Sequence, residues 1–268
     1  MTGVEEIKLS VRSGTTSLAA VLTRESTAAP LVVFAHGFAG NKNENGLFVQ
    51  AADYFARHGL SVLRFDFRAC GENGGKFKNV RLYDLVSDLE NIFLYIKSDP
   101  QLRLLPIGFV GFSLGAGIGL LSTVPIDSYV FWSPAIYTRN DMVPRYENEL
   151  EEKGFIVKGN VKISKGFIDD LDSDAIPNSL CGLTTPVLLI HGSADQRIPY
   201  TSSMRALRIL QASSKSKLVT IPEADHAYRA NPQMRQQVFA TSCDWLLSHL
   251  SRDSEPHSAE NTSNWALA

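Results

Sequence analysis

Apolar residues recur along this chain in two alternating rhythms, short unbroken runs and longer stretches spaced by three and four, which predict strands and helices in turn. Glu5 to Val11 and Thr16 to Leu22 are β-prone runs around Ser13-Gly14, and they predict a hairpin at a sheet edge. Leu31 to Ala35 reads as a buried strand, Leu47 to His58 as a helix stopped at Gly59, and Ser61 to Phe65 as the next strand. Within Val80 to Lys97, Leu82, Leu85, Val86, Leu89, Ile92, Phe93 and Ile96 share one helical face, and Pro100 closes the segment. Ile107 to Val110, Tyr129 to Trp132, Val187 to Ile190 and Leu218 to Ile221 are further strands. Helices are expected near Ser202 to Gln211 and from about Pro232 to Leu250. Strands and helices alternating at this spacing predict a mainly parallel sheet covered on both faces.

Two regions break the rhythm. Ala135 to Cys181 carries a charged helix-like piece, Tyr146 to Lys153, then the β-prone runs Phe155 to Val157 and Val161 to Ile163 around Lys158-Gly159-Asn160. Glycine and asparagine between short runs suggest a small hairpin, and an insertion of this length suggests a functional lid. Arg252 to Ala268 is polar and patternless and reads as a disordered tail. The expected organisation is a core in two parts, 1–134 and 182–251, a lid insertion 135–181 and a tail 252–268.

Composition narrows the classes. With 44% hydrophobic and 20% charged residues, the chain can bury a substantial core. A formal charge of -2 and no basic block argue against nucleic acid as a partner. No apolar run approaches the roughly 20 residues of a membrane span. Met1 to Lys8 lacks the apolar stretch of a secretion signal. Cys70, Cys181 and Cys243 are widely spaced, so they read as reduced thiols in a cytoplasmic protein rather than as a disulfide framework or a zinc site. No metal and no cofactor are expected; Gly111 to Gly119 lacks the lysine and the ribose-binding acid that a phosphate-cradling loop needs.

Chemistry concentrates in Gly111-Phe112-Ser113-Leu114-Gly115, between an apolar strand and a small-residue helix. So sharp a turn strains its central residue and needs flanking glycines, and it leaves the serine hydroxyl exposed above the sheet. A serine nucleophile needs a base, and the base an orienting acid. Asp195 follows the strand ending at Ile190, and His226 follows the strand ending at Ile221. Carboxyl ends of neighbouring parallel strands share one crevice, so Ser113, Asp195 and His226 are expected to meet there as nucleophile, orienter and base. Asp225 adjoins His226 too closely to face it. His36 and His191 are expected to brace loops, Ser133 lacks an elbow, and Phe131 and Trp132 read as core or pocket wall. The backbone N–H groups of Phe38, in His36-Gly37-Phe38-Ala39-Gly40, and of Leu114 are the expected oxyanion donors; losing one such donor costs about 3–4 kcal/mol of barrier.

These four elements in this order resemble an α/β-hydrolase over roughly Pro30 to Leu250. The Asp66-Phe67-Arg68 segment, the Gly74-Gly75-Lys76-Phe77 loop and the short lid are similar to those of bacterial feruloyl and cinnamoyl esterases and related serine carboxylesterases. Ala69 stands where that pattern commonly has glycine. The resemblance implies an α/β-hydrolase fold, a mostly parallel eight-stranded sheet flanked by helices, and hydrolysis of a small-molecule acyl ester through an acyl-enzyme. Thioester, amide or peptide hydrolysis with the same triad, and a ligand-binding member without turnover, stay open, as does the oligomeric state, a homodimer included. Tyr137, Tyr146, Phe155 and Phe167 suit either an aromatic substrate pocket or the core of the insertion. The pH dependence of kcat/KM is expected to follow His226 near its ordinary pKa, about 6.5.

Overall fold

The computed structural model describes residues 3–158, 161–212 and 215–251. In chain order its elements are β1 (Glu5–Ser13), β2 (Thr16–Arg24), β3 (Leu31–Ala35), α1 (Leu47–Arg57), β4 (Ser61–Phe65) and α2 (Leu82–Ser98). They continue with β5 (Ile107–Phe112), α3 (Leu114–Leu121), β6 (Ser128–Trp132), α4 (Thr138–Asp141), α5 (Glu147–Lys153), β7 (Phe155–Lys158) and β8 (Val161–Ser164). The last are α6 (Lys165–Leu171), α7 (Ala175–Asn178), β9 (Val187–Gly192), α8 (Tyr200–Leu210), β10 (Ser216–Ile221) and α9 (Pro232–Leu250).

Eight strands form one sheet in the order β1-β2-β4-β3-β5-β6-β9-β10. β1 pairs antiparallel with β2, and β2 with β4; every other pairing is parallel. This is the α/β-hydrolase fold. The inner strands β3, β4, β5, β6 and β9 are buried along their whole length, which is why they read as unbroken apolar runs.

Successive side chains of a strand point to opposite faces, so each inner strand feeds two cores. Val32 and Phe34 pack with α1 and α9, whereas Leu31, Val33 and Ala35 pack with α2 and α3. Phe34 meets Phe48, Phe55 and Trp132 edge-on, with ring centroids 5.0, 5.5 and 5.8 Å away. Burying one such ring contributes about 2–3 kcal/mol. Phe131 and Trp132 are both wholly buried, as a core reading requires.

Between β6 and β9 the chain leaves the sheet and builds α4 to α7 and the antiparallel hairpin β7–β8. The hairpin strands lie where the sequence places them; the turn residues 159–160 lie outside the described residues, as does the polar segment 252–268. Among the described residues no helix is long and apolar enough to cross a membrane.

Candidate active site

In a parallel sheet the strands deliver their carboxyl ends to one edge. β3, β5, β9 and β10 therefore hand His36-Gly37-Phe38, Ser113, Asp195 and His226 to the same end of the sheet, where a crevice opens. The crevice is a cavity of about 500 Å³ whose wall includes Gly37, Phe38, Ser113 and His226.

Ser113 adopts φ 53°, ψ -117°, a region that few side chains occupy. Such strain costs on the order of 1–3 kcal/mol and persists only where the surroundings enforce it. Here they do. The Ser113 N–H donates to the Trp132 carbonyl (2.9 Å), and the Ser113 carbonyl accepts from Ala135 N–H (3.0 Å) and Ala116 N–H (3.2 Å). The flanking glycines are needed because backbone fills the space a Cβ would take. At Gly111 it would lie 2.5 Å from Ala116 Cα, and at Gly115 2.1 Å from the Ala35 carbonyl oxygen.

The turn after β3 is laid directly on this elbow. A Cβ at Gly37 would lie 3.3 Å from Ser113 Cβ. Several contacts set the turn's path. Glu44, buried, accepts the Gly37 N–H at 2.7 Å, and Lys158 donates its ammonium to the Phe38 carbonyl while lying over the Phe38 ring, 4.6 Å from its centroid. His36 donates from Nδ1 to the Gly37 carbonyl (2.9 Å) and accepts the Phe67 N–H at Nε2 (3.1 Å), which fixes a neutral tautomer. Full burial takes its pKa down to about 4. His36 is thus a brace, as the sequence suggested. Among the described residues no protein acceptor takes the N–H of Phe38 or of Leu114.

His226 packs its ring on Phe112, with centroids 5.1 Å apart, which sets it beside the residue preceding Ser113. Its Nδ1 meets Asp195 Oδ2 at 2.7 Å. The same Oδ2 meets Nε2 of the buried His191 at 3.1 Å, and His191 Nδ1 in turn meets the Ser203 hydroxyl at 2.7 Å. Asp195 Oδ1 accepts the N–H groups of Arg197 (2.8 Å) and Ile198 (3.0 Å). Burial of Asp195 opposes its ionisation, but the bonds from His191 and His226 outweigh it and hold the carboxyl below the usual carboxylate range. For His226 the balance falls the other way. Burial, stronger than the pull of Asp195, sets its pKa below 6.5. The two loops are stitched together: Ala194 N–H donates to the Ala224 carbonyl, 3.1 Å away, and Glu223 N–H to the Ser193 hydroxyl, 2.8 Å away.

The competing residues fall away. Ser133 is wholly buried and donates to the Tyr228 hydroxyl (3.0 Å). Asp225 spends Oδ1 on Arg229 N–H (2.6 Å). Of the four aromatic residues of the insertion, Tyr146 alone lines the cavity. Phe167 is wholly buried against Phe38 and Phe77, Tyr137 lies under Arg205 and Phe155 under Lys162, so Phe167 and Tyr137 pack the insertion onto the rest of the molecule rather than line the cavity. Among the described residues no group of three or more His, Cys, Asp or Glu side chains is arranged to hold a metal ion.

The Asp66-Phe67-Arg68 segment is a tie rod behind the site. Asp66, fully buried, accepts from the Lys42 N–H (2.6 Å), the Lys42 ammonium (2.7 Å) and the Glu72 N–H (2.9 Å). Arg68 grips Asp88 and Asp84 of α2. Ala69 next to it sits at φ 56°, the left-handed conformation that glycine adopts freely. Relief of about 1–2 kcal/mol of left-handed strain exceeds the roughly 0.4–1 kcal/mol of chain entropy that glycine adds to the unfolded state. Ala69→Gly is therefore expected to stabilise the protein by about 0.5–1 kcal/mol. The check is a urea titration in which the midpoint rises and the slope stays constant; a lowered midpoint contradicts the strain argument.

Comparison with known proteins agrees with this architecture. Residues 26–165, just over half the chain, match the family model described as "Serine aminopeptidase, S33", and residues 165–253 match that of the prolyl oligopeptidase family. A monoacylglycerol lipase of Mycolicibacterium smegmatis is 25% identical over 272 residues, covering 86% of this chain and 92% of the lipase. A Mycobacterium tuberculosis protein provisionally named a phosphoribosyl transferase is 26% identical over 246 residues, 92% of this chain. The chain spans only 46% of that protein's length, so the transferase name assigns nothing to it. Among solved structures, ferulic-acid-bound Est1E from Butyrivibrio proteoclasticus superposes with a TM-score of 0.76 at 21% identity, covering 90% of this chain and 98% of Est1E.

Proposed function

Because the chain belongs to the serine aminopeptidase S33 family of α/β-hydrolases, we propose that it hydrolyses a carboxylic ester through an acyl-enzyme on Ser113. The observation that carries this reading is the Asp195–His226 pair at 2.7 Å, opening onto the cavity that Ser113 lines from a strained left-handed turn. Ser113 Oγ attacks the acyl carbon while His226 takes its proton. The carbonyl oxygen, now anionic, is received by the N–H groups of Phe38 and Leu114. As the C–O bond to the alcohol breaks, the imidazolium returns that proton to the leaving oxygen. Water then repeats the sequence: His226 deprotonates it, the acid departs and Ser113 regains its hydrogen.

Ester cleavage fits better than release of an amino-terminal residue. An aminopeptidase has to hold a substrate ammonium, yet the wall sets four cations, Arg145, Lys158, Arg197 and Arg229, against two carboxylates, Glu44 and Asp225, each with one oxygen already committed to a backbone N–H. Likeness to a monoacylglycerol lipase supports an ester as well. Residues 135–181 act in this reading as a lid, since Met142, Arg145, Tyr146, Val157 and Lys158 wall the cavity. Three unpaired cysteines, one of them exposed, support a reducing, cytoplasmic setting.

A fluorophosphonate probe tests nucleophile and base together. Labelling is expected in the native chain and absent in Ser113→Ala. Its rate should climb with pH as His226 loses its proton, with a midpoint below 6.5, because burial disfavours the imidazolium. This places the midpoint lower than the unperturbed value suggested by sequence. Absent labelling, or a midpoint above neutrality, would refute the assignment.

A further inference from the structure

Arg145, Lys158, Arg197 and Arg229 all line the cavity that holds Ser113. Among the described residues none of the four forms an ion pair with a carboxylate. Glu44 and Asp225 share the wall, each with an oxygen committed to a backbone N–H. The wall is formally positive although the chain as a whole carries -2. Cations brought together around one crevice repel each other, and the repulsion is felt: burial and the nearby Arg197 lower the Lys158 ammonium to about 8. A bound anion would relieve it, and a concave wall of net positive charge concentrates its field on such a ligand. Guanidinium groups are also suited by shape to planar, paired contacts with carboxylate and phosphate oxygens.

We propose that the ester taken by this site carries an anionic group, a carboxylate or a phosphate, on one side of the scissile bond, held against Arg145, Lys158, Arg197 and Arg229. The proposal rests on the ester-hydrolase reading and adds the substrate class to it. Of the two roles open to the insertion's four aromatic residues from sequence, pocket or core, only Tyr146 takes a place in the cavity wall, which leaves the four cations as its most distinctive feature.

Two matched pairs of esters test it on the full chain. The 4-nitrophenyl monoester of adipic acid, set against 4-nitrophenyl hexanoate, puts the charge on the acyl side. The hexanoate ester of 4-hydroxybenzoate, set against that of 4-hydroxybenzamide, puts it on the alcohol side. In at least one pair kcat/KM for the anionic ester should exceed that of its neutral partner about tenfold at low ionic strength, and the advantage should shrink in high salt. The triple variant Arg145→Gln, Arg197→Gln, Arg229→Gln should bring that ratio close to unity. Exchanging the carboxylate for a phosphonate identifies the preferred anion, and a larger advantage for either one supports the proposal. Neutral esters hydrolysed as well as or better than charged ones in both pairs would overturn it and leave the hydrolase assignment standing. Failure to cleave any of the four overturns it too, and fluorophosphonate labelling then decides whether the hydrolase assignment falls with it.

Discussion

Ser113→Ala and His226→Ala are each expected to lower kcat on a carboxylic ester by roughly 10⁵- to 10⁶-fold, and the double variant to be no slower than either single one. The reason is that neither group acts alone. A serine hydroxyl without a base is nearly inert at neutral pH, and the base without a nucleophile can only activate water from a poorly placed position. What survives in all three variants is the contribution of the donors at Phe38 and Leu114 and of substrate binding. Both residues are buried in a cavity wall; Ser113→Ala removes no partner of a charge, and after His226→Ala the Asp195 carboxylate keeps the donors of His191, Arg197 and Ile198. Single-turnover kinetics with the three variants reads the effect directly. Additive losses in the double variant would mean that the two side chains serve separate steps.

Asp195→Asn is expected to cost about 10⁴-fold in kcat and, unlike the other two, about 2–4 kcal/mol of stability. Asp195 receives four donors: the imidazoles of His191 and His226 at Oδ2, and the N–H groups of Arg197 and Ile198 at Oδ1. Asparagine has one oxygen and one NH₂ group. If its oxygen takes the place of Oδ2, the NH₂ group faces two backbone N–H donors. If it is flipped, the NH₂ group faces two imidazoles, and His226 must change tautomer and lose the form that accepts a proton from Ser113. Either way a buried donor meets donors, which is the expensive outcome. With the proposed role for Asp195, the site would tie catalysis to folding through one carboxylate. Urea unfolding together with kcat measurement checks both arms; an unchanged midpoint would show that the loop relaxes around the amide.

The sheet was largely legible in sequence because its inner strands are buried on both sides and have to be apolar throughout. Leu31–Ala35 and Ser61–Phe65 fall on the expected bounds. The edge pair was read short. Ser13 pairs with Thr16 and Glu5 with Arg24, and those polar ends carry ladder bonds without an apolar signature. Helix α2 starts at Leu82 rather than Val80 because Val80 and Arg81 are extended and the Asp84 carboxylate accepts the Arg81 N–H at 2.8 Å. The helices at 138–141, 165–171 and 175–178 escaped notice since each is too short to show a period.

At the site, chain order and strand ends were enough to nominate Ser113, Asp195 and His226. They could not reveal Glu44 behind Gly37, nor His191 as a second donor to Asp195. Those contacts depend on how turns fold over one another. His191 did carry a weak signal, a histidine four places before the acid at the end of the same strand.

Lys158 shows what such a distant contact can do. It ends the first strand of the β7–β8 hairpin, and its ammonium rests on the carbonyl of Phe38, 120 positions earlier in the chain. The hairpin that walls the cavity thereby also steadies the peptide unit next to the proposed oxyanion donor. Any outward swing of the hairpin would break this contact and leave that peptide unit without its cation.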